Sequence, residues 1–465
     1  MKGIKSHVEV LTQEEINKIH NGTLKVLERV GFKVPNDECL KICKEHGAVV
    51  DFDNKIVKVP SYIMEDILDK IRTANLNYKE DNKLNKIYGN ISTQVFVVDY
   101  MTKTRRYGLL DDVLKGIALV EHLDNIPSYS AVTIPSDVPF GMTDIISYQM
   151  IYSYSKKDGG TYILTPTSAK YIIEMSEVMG KGIGYFLETV SPLQFRKESL
   201  EMALLFVKQG KPLGLGPMVI GGATGPITVA GTITLQNAEI LASLFLIYAL
   251  TNNFGGYGAF NHSMDLRTMI CSFGSPNQAF FGIAAAQMAK FYGLTAMSNS
   301  GLSDALMPDF QCGFEKASTA IFSCLAGCIG IGAQGIVGAD QGFSFEQLVI
   351  DNEWLDAYNY IVLGFEVNEE TIATEIIENV GIAGNYISEE HTALYMRDSY
   401  WPSKLFNRDS FDSWASGNKE ELLEKAHKFV EEKTKDYKNM QPVIDQSKFE
   451  ELNYIVKCAK EEIVK

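Results

Sequence analysis

The middle of this chain repeats one pattern: a short apolar run, then a longer run with apolar residues at helical spacing. Strand-like runs fall at residues 129–134, 161–164, 185–189, 213–218, 257–261, 294–298 and 335–339. Helix-like runs follow at 144–155, 168–178, 198–209, 237–251, 278–292, 314–330 and 345–363. Parallel strands need crossover connections, and the crossover helices cover the sheet, so this alternation predicts a parallel α/β sheet. Seven units, with an eighth strand expected near residues 381–386, predict a closed (β/α)8 TIM barrel rather than an open doubly wound sheet. Neither GxGxxG nor GxxxxGK[ST] stands at a strand–helix junction, which argues against a dinucleotide or nucleoside triphosphate site.

Charge divides the chain in the same way. Between Pro212 and Met264 the one charged residue is Glu239, and residues 268–289 have none. Gly, Pro, Asn and Gln interrupt these runs, so they predict buried strands and helices rather than membrane spans. The flanks alternate Lys, Glu and Asp with apolar positions, as solvated amphipathic helices do. The expected organisation is an N-terminal helical segment at 1–90, a barrel at 91–400 and a C-terminal helical extension at 401–465. A net charge of -15 disfavours nucleic acid and anionic membrane as partners. The densest basic run, Lys103 to Arg106, holds three cations. Seven cysteines form no disulfide framework, and Met1–His7 lacks the apolar core of a leader, so a cytoplasmic protein is expected. The 237–251 helix, whose one charged residue is Glu239, is a candidate subunit contact, so a homo-oligomer is expected as well.

Local signals are specific at the N-terminus. Thr12 and Glu15 form a capping-box pattern, Gly31 ends the helix, and Asn36 opens another. Cys39, Cys43 and His46 share a helix face at C-x3-C-x2-H spacing, but a core-facing stripe explains the thiols better than zinc, and no metal site is expected. Cys312 opens a helix, where a thiol pKa is lowered. In a barrel, reactive groups follow the C-terminal ends of the strands. Those segments offer Glu188, Asp137 and Asp340 as carboxylates and His262 as the one imidazole, with few cations. Such a set suits a cationic or neutral substrate. Phe96, Tyr100 and Phe260 lie near strand or loop ends, where rings could hold a quaternary ammonium group.

Several stretches, in order, resemble the trimethylamine methyltransferase family of corrinoid-dependent enzymes. They are residues 11–20 (LTQEEINKIH), 191–195 (SPLQF), 221–231 (GGATGPITVAG) with 236–239 (QNAE), 304–316 (DALMPDFQCGFEK) and 345–353 (FEQLVIDNE). The resemblance implies a (β/α)8 barrel that moves a methyl group from a methylated amine to Co(I) of a separate corrinoid protein. It implies no tightly bound cofactor of the chain's own. Founding members carry pyrrolysine, which this sequence lacks. The matching region is 309–315, with Cys312 the position closest to it. Relatives without pyrrolysine act on glycine betaine, proline betaine, carnitine or butyrobetaine, so a quaternary amine is the implied substrate. On that reading Phe96, Tyr100 and Phe260 would face the methyls, and Glu188 or Asp340 would supply counter-charge. Asn261, His262 and Gln311 would meet a betaine carboxylate, with Cys312 in the pocket wall. A barrel that binds without catalysis and a zinc-assisted methyltransferase are the alternatives.

Overall fold

The computed structural model describes residues 3–4, 8–75, 84 and 86–464. Part of the Met1–His7 segment and part of the expected 1–90 segment lie outside the described residues.

The N-terminal signals fold as expected. Helix Gln13–Arg29 starts at Thr12, whose hydroxyl accepts the Glu15 main-chain N–H while the Glu15 carboxylate accepts the Thr12 N–H at 2.8 Å. Two otherwise unpaired donors are thereby satisfied. Gly31 turns the chain at φ +77, where a Cβ would lie 2.3 Å from the Val57 carbonyl oxygen. Helices Asp37–Glu45 and Ser61–Ala74 flank the short strands Phe32–Lys33, Val49–Asp51 and Ile56–Lys58. This segment is not a separate core. Leu27, Phe32 and Leu68 join the same hydrophobic cluster as Phe206, Phe245 and Leu348 of the central helices.

The central region is α/β, with short parallel pairings between successive strand–helix units. Ser128–Tyr129 pairs with Asp158–Gly159, Tyr185–Leu187 with Leu213–Leu215, and Tyr257–Ala259 with Ala296–Ser298. Main-chain bonds extend the run. Phe260 N donates to Pro217 O, Ser298 N to Gly330 O, Gln334 N to Asn90 O, and Gln94 N to Val132 O. Helices connect these segments, and along strands Tyr185–Leu187 and Ala296–Ser298 buried and exposed positions alternate.

Three sequence expectations are corrected here. Residues 381–386 form no strand; they are exposed coil after helix Thr374–Val380. The 335–339 run is not a parallel strand, because Ile336–Val337 turns back antiparallel onto Gly342–Phe343. Residues 329–334 take the parallel position instead. Residues 86–98, read from sequence as part of no strand, lie between residues 330–334 and 126–134 and end in strand Phe96–Val98. Gly, Asn, Ser, Thr and Gln interrupt their first nine positions, and the apolar run Val95–Val98 stands alone at the end.

Helix Val229–Thr251 is long and apolar enough to cross a membrane, but most of it is inside the protein. Its polar residues make internal bonds: Gln236 Oε1 accepts Val219 N, and Asn237 Nδ2 donates to the Tyr292 and Thr23 hydroxyls. Glu239 accepts the Ser191 hydroxyl at 2.7 Å and Leu193 N at 2.9 Å, anchoring the loop that holds the cis Ser191–Pro192 bond. C-terminal helices Leu422–Thr434 and Gln446–Ile463 pack on the outer helices, through Ala426, Val430, Leu452 and Ile455.

Candidate active site

The C-terminal ends of the strands carry three added loops. The first is a hairpin, His262–Asp265 paired with Ile270–Ser272; the second spans residues 299–309; the third is the tight turn at 337–342. Together with strand Arg105–Tyr107 they enclose a cavity of about 920 Å3. Lys103, Arg105, Asp265, Arg267 and Asp304 lie in its wall. The basic run at 103–106 therefore reaches this mouth, against the expectation of a site poor in cations. The cause is topological: Phe96–Val98 pairs with both Gly342–Phe343 and Arg105–Tyr107, which carries the basic strand to the rim. The rim charges are largely engaged. Arg267 pairs with Asp265 at 2.8 Å, and the Arg105 guanidinium lies 4.4 Å from the Phe96 ring centre and donates to Gln341.

None of the nine residues assigned from sequence is in that wall. They separate into four groups. Phe96 and Tyr100 have their ring faces occupied, Phe96 by Arg105 and Tyr107, Tyr100 by His427 at 3.9 Å and by Lys103. Glu188 and Gln311 are exposed, and Gln311 Nε2 donates to Glu315 at 2.8 Å. Cys312 has no exposed surface and packs with Val98, Ala305 and Val337. Its main-chain N–H is capped by Asp309, but burial outweighs the helix N-terminus and pushes the thiol up to about 12. Burial thus cancels the lowering that a helix N-terminus alone would give.

Phe260, Asn261, His262 and Asp340 remain at the strand ends. His262 is fully buried, its ring 4.0 Å from that of Phe273, and Asn299 Nδ2 donates to its Nε2 at 2.9 Å. Desolvation lowers its pKa to about 3, so the imidazole is neutral at physiological pH. Asn261 is buried; its carbonyl accepts Gln278, and its Nδ2 has no partner among the described residues. Asp340 sits in the left-handed region at φ +60 and accepts one side-chain bond, from Gln94 Nε2 at 2.9 Å. Burial raises its pKa despite the nearby Lys316 ammonium.

Phe260 has a partner that sequence reading missed. On strand Tyr185–Leu187, Tyr185 and Leu187 are buried toward the helices, and Tyr185 bonds Ser199 of the following helix. Phe186, between them, faces the other way and is 43% exposed. It stacks on Phe260 with ring centres 5.9 Å apart and planes 10° apart. Gly216 makes room, since a Cβ there would stand 2.3 Å from Phe260 and 2.5 Å from Phe186. The signal available in sequence was strand alternation: an inward phenylalanine between two helix-facing residues. The C-x3-C-x2-H group is structural. Burial pushes the Cys39 thiol up to about 12, and the His46 Nδ1 bonds the Ile42 carbonyl.

The sequence as a whole belongs with a known class of methyl-transfer proteins. The family model for trimethylamine methyltransferase (MTTB) matches residues 1–464, and the chain belongs to that family. Trimethylamine methyltransferase MttB of Desulfitobacterium hafniense is 29% identical over 433 residues, covering 90% of this chain and 87% of that protein. Glycine betaine methyltransferase of the same species is 27% identical over 444 residues, covering 90% of each chain. Among solved structures, monomethylamine methyltransferase (MtmB) of Methanosarcina barkeri aligns with a TM-score of 0.46 at 11% identity, over 92% of this chain and 95% of that one.

Proposed function

We propose that this methyltransferase, on a closed (β/α)8 barrel in the cytoplasm, moves a methyl group from a quaternary amine to Co(I) of a cognate corrinoid protein. The substrate is glycine betaine or a related betaine such as proline betaine, carnitine or butyrobetaine. The observation that carries this reading is the accessible Phe186–Phe260 stack on the inward face of the strands. A quaternary ammonium group cannot donate a hydrogen bond, and aromatic faces are the groups that hold it. Asp340 supplies a carboxylate with a single amide partner. The unpartnered Asn261 Nδ2 supplies a donor for the betaine carboxylate, and a buried donor without a partner is costly unless a ligand or water takes it.

The reaction needs little more. The Co(I) electron pair attacks the methyl carbon, the C–N bond breaks, and its electrons stay on nitrogen, which leaves as a neutral tertiary amine. No proton moves, and a His262 held neutral is consistent with chemistry that uses no acid. Orientation and exclusion of water then supply the advantage. The corrinoid is a co-substrate on another protein, and the open strand ends are the side from which it would approach.

The test is a panel of quaternary, tertiary and secondary amines with the corrinoid protein held as Co(I), following methyl-Co(III) formation by absorbance. The expected result is methylation from one betaine only when Co(I) is supplied. Demethylation without a corrinoid would defeat the proposal, and betaine binding without transfer to any acceptor would replace it with a binding protein.

A further inference from the structure

The strand positions that turn away from the helices carry little side chain. Tyr185, Tyr257 and Ser298 face the helices: Tyr185 bonds Ser199, Tyr257 bonds Asn237, and Ser298 Oγ would lie 3.4 Å from a Cβ at Gly282. Their neighbours along each strand face the other way, and residues paired across a ladder share a face. Phe186 pairs with Gly214, while Met297 pairs with Gly258 on one side and Gly330 on the other. Three of these five positions are therefore glycine, where a (β/α)8 barrel ordinarily places bulky branched residues. The two side chains that remain are uncovered, Phe186 at 43% and Met297 at 42% exposure.

The gap between them is fixed by the backbone. At Gly258 a Cβ would stand 2.4 Å from the Leu215 carbonyl oxygen and 3.2 Å from the Gly216 Cα, so the close approach of these strands leaves no room for a side chain. Phe260 follows two residues on, on the same face, and stacks on Phe186. Met297 leans the opposite way. A Cβ at Gly330 would stand 2.8 Å from the Met297 Cε and 3.0 Å from its Cγ, so the thioether lies across Gly330, drawn away from the space above Gly258. Strand spacing and rise put the Phe260 and Met297 Cα atoms roughly 8 Å apart on the diagonal across that space.

We propose that Met297, seated on Gly330, is the specificity-determining wall opposite the ring pair, and that it sets how large an ammonium head fits above Gly258. This role rests on the quaternary-amine reading above and adds the size of the head: methyl groups on nitrogen rather than larger alkyl groups. Aromatic faces attract the charge whatever its substituents. The wall on the far side of Gly258 decides which substituents fit. A thioether suits that wall, because it is polarizable, carries no donor and adapts its torsions to what it packs against.

The test uses the full chain with no corrinoid protein and two ions that lack a carboxylate, tetramethylammonium and tetraethylammonium, with dissociation constants from titration calorimetry. The wild-type protein is expected to prefer tetramethylammonium. Met297→Ala removes the wall, and the ratio of the two constants is expected to move toward tetraethylammonium by about tenfold or more, the discrimination a hydrophobic pocket gives for single methylenes. Gly330 does not take the left-handed backbone, so Gly330→Ala is sterically opposed by the methionine alone. Its methyl displaces the thioether toward Gly258, and the ratio is expected to move the other way. A ratio unchanged or moved toward tetramethylammonium in Met297→Ala would overturn the proposal. If that variant does not fold, a ratio unchanged or moved toward tetraethylammonium in Gly330→Ala would do so instead. A wild-type preference for tetraethylammonium would overturn it as well. Wild-type protein that binds neither ion would refute the quaternary-amine reading itself, and this role with it.

Discussion

Asp351 and Asp340 are two carboxylates drawn in beside the same buried ammonium, Lys316, and they are held in opposite ways. Asp351 is fully buried and fully used. Its Oδ2 meets Lys316 Nζ at 3.1 Å and Gly335 N at 2.7 Å, and its Oδ1 accepts Gln347 Nε2 and Trp354 Nε1, each at 2.8 Å. Asp340 has one amide partner, a left-handed backbone and a pKa raised by burial. The first ties helix Phe345–Leu363 to helix Phe310–Ala326 and to the 335 turn. The second has bonding capacity left over, at the end of the strands where a substrate would sit. Partner count and exposure together separate a carboxylate that holds the fold from one available to a ligand: Asp351 is fully buried and Asp340 partly exposed.

The sharpest way to break this contrast is to remove the shared cation. Lys316→Met strands Asp351 as an unpaired charge in the interior, which costs about 3–5 kcal/mol. The expected outcome is a large fall in the denaturant midpoint. A Lys316→Met, Asp351→Leu double variant is expected to recover much of it, since an apolar pair often matches a buried ion pair. A midpoint unchanged in the single variant would mean that the pair does not hold these helices together.

Asp340→Asn is expected to do the reverse. It keeps the shape and loses only the charge, so stability should move by less than ~1 kcal/mol, as for substitutions away from a filled network. On the proposed function, KM for the quaternary amine should rise about tenfold, the equivalent of ~1.4 kcal/mol. Unfolding and steady-state kinetics on the same preparation separate the two aspartates. If the Asn variant fell in stability as far as Lys316→Met, the contrast would be void.

Which of these residues could be read from sequence follows from how each is placed. Asp340 was picked out as following a strand at 335–339, but it sits in the turn between Ile336–Val337 and Gly342–Phe343. Asp351 was not picked out, because a carboxylate in the middle of an amphipathic helix looks like a solvated one; only the packing turns it inward. The alternation of strands and helices was legible because burial on both faces leaves continuous apolar runs. Residues 86–98 were not, because their pairing is set by neighbours distant in sequence and polar residues break up the part before Val95. The partners that cover Phe96 and Tyr100, Arg105 and His427, come from hairpin geometry and from a distant helix. The capping boxes, by contrast, are local, and Thr12 with Glu15 formed as its spacing dictates.

The pH dependence carries the next test. A raised folded pKa means that the fold prefers neutral Asp340. Its contribution to stability is present at low pH, below the ordinary carboxylate value, and is lost as pH rises through the raised value. Affinity for a cation runs the other way, because only the ionised form attracts it. Titration calorimetry with the betaine is expected to show affinity rising with pH through a range above that of an ordinary aspartate. In Asp340→Asn this rise is expected to vanish. A profile identical in both proteins would assign the counter-charge elsewhere.

The smallest expected effect concerns the ring pair. Phe260→Leu keeps volume and removes one aromatic face, while Phe186 still presents its own. A ring–cation contact is worth about 0.5–2 kcal/mol, so KM should rise roughly 2- to 30-fold with little change in unfolding. Gly216→Ala reaches the same pair from behind, because its methyl would enter the space both rings occupy and must part them. It is expected to raise KM for the quaternary amine without removing either ring. If KM for a neutral isostere of the substrate rose equally in both variants, the rings would be acting as plain apolar wall, and Asp340 alone would account for the preference for positive charge.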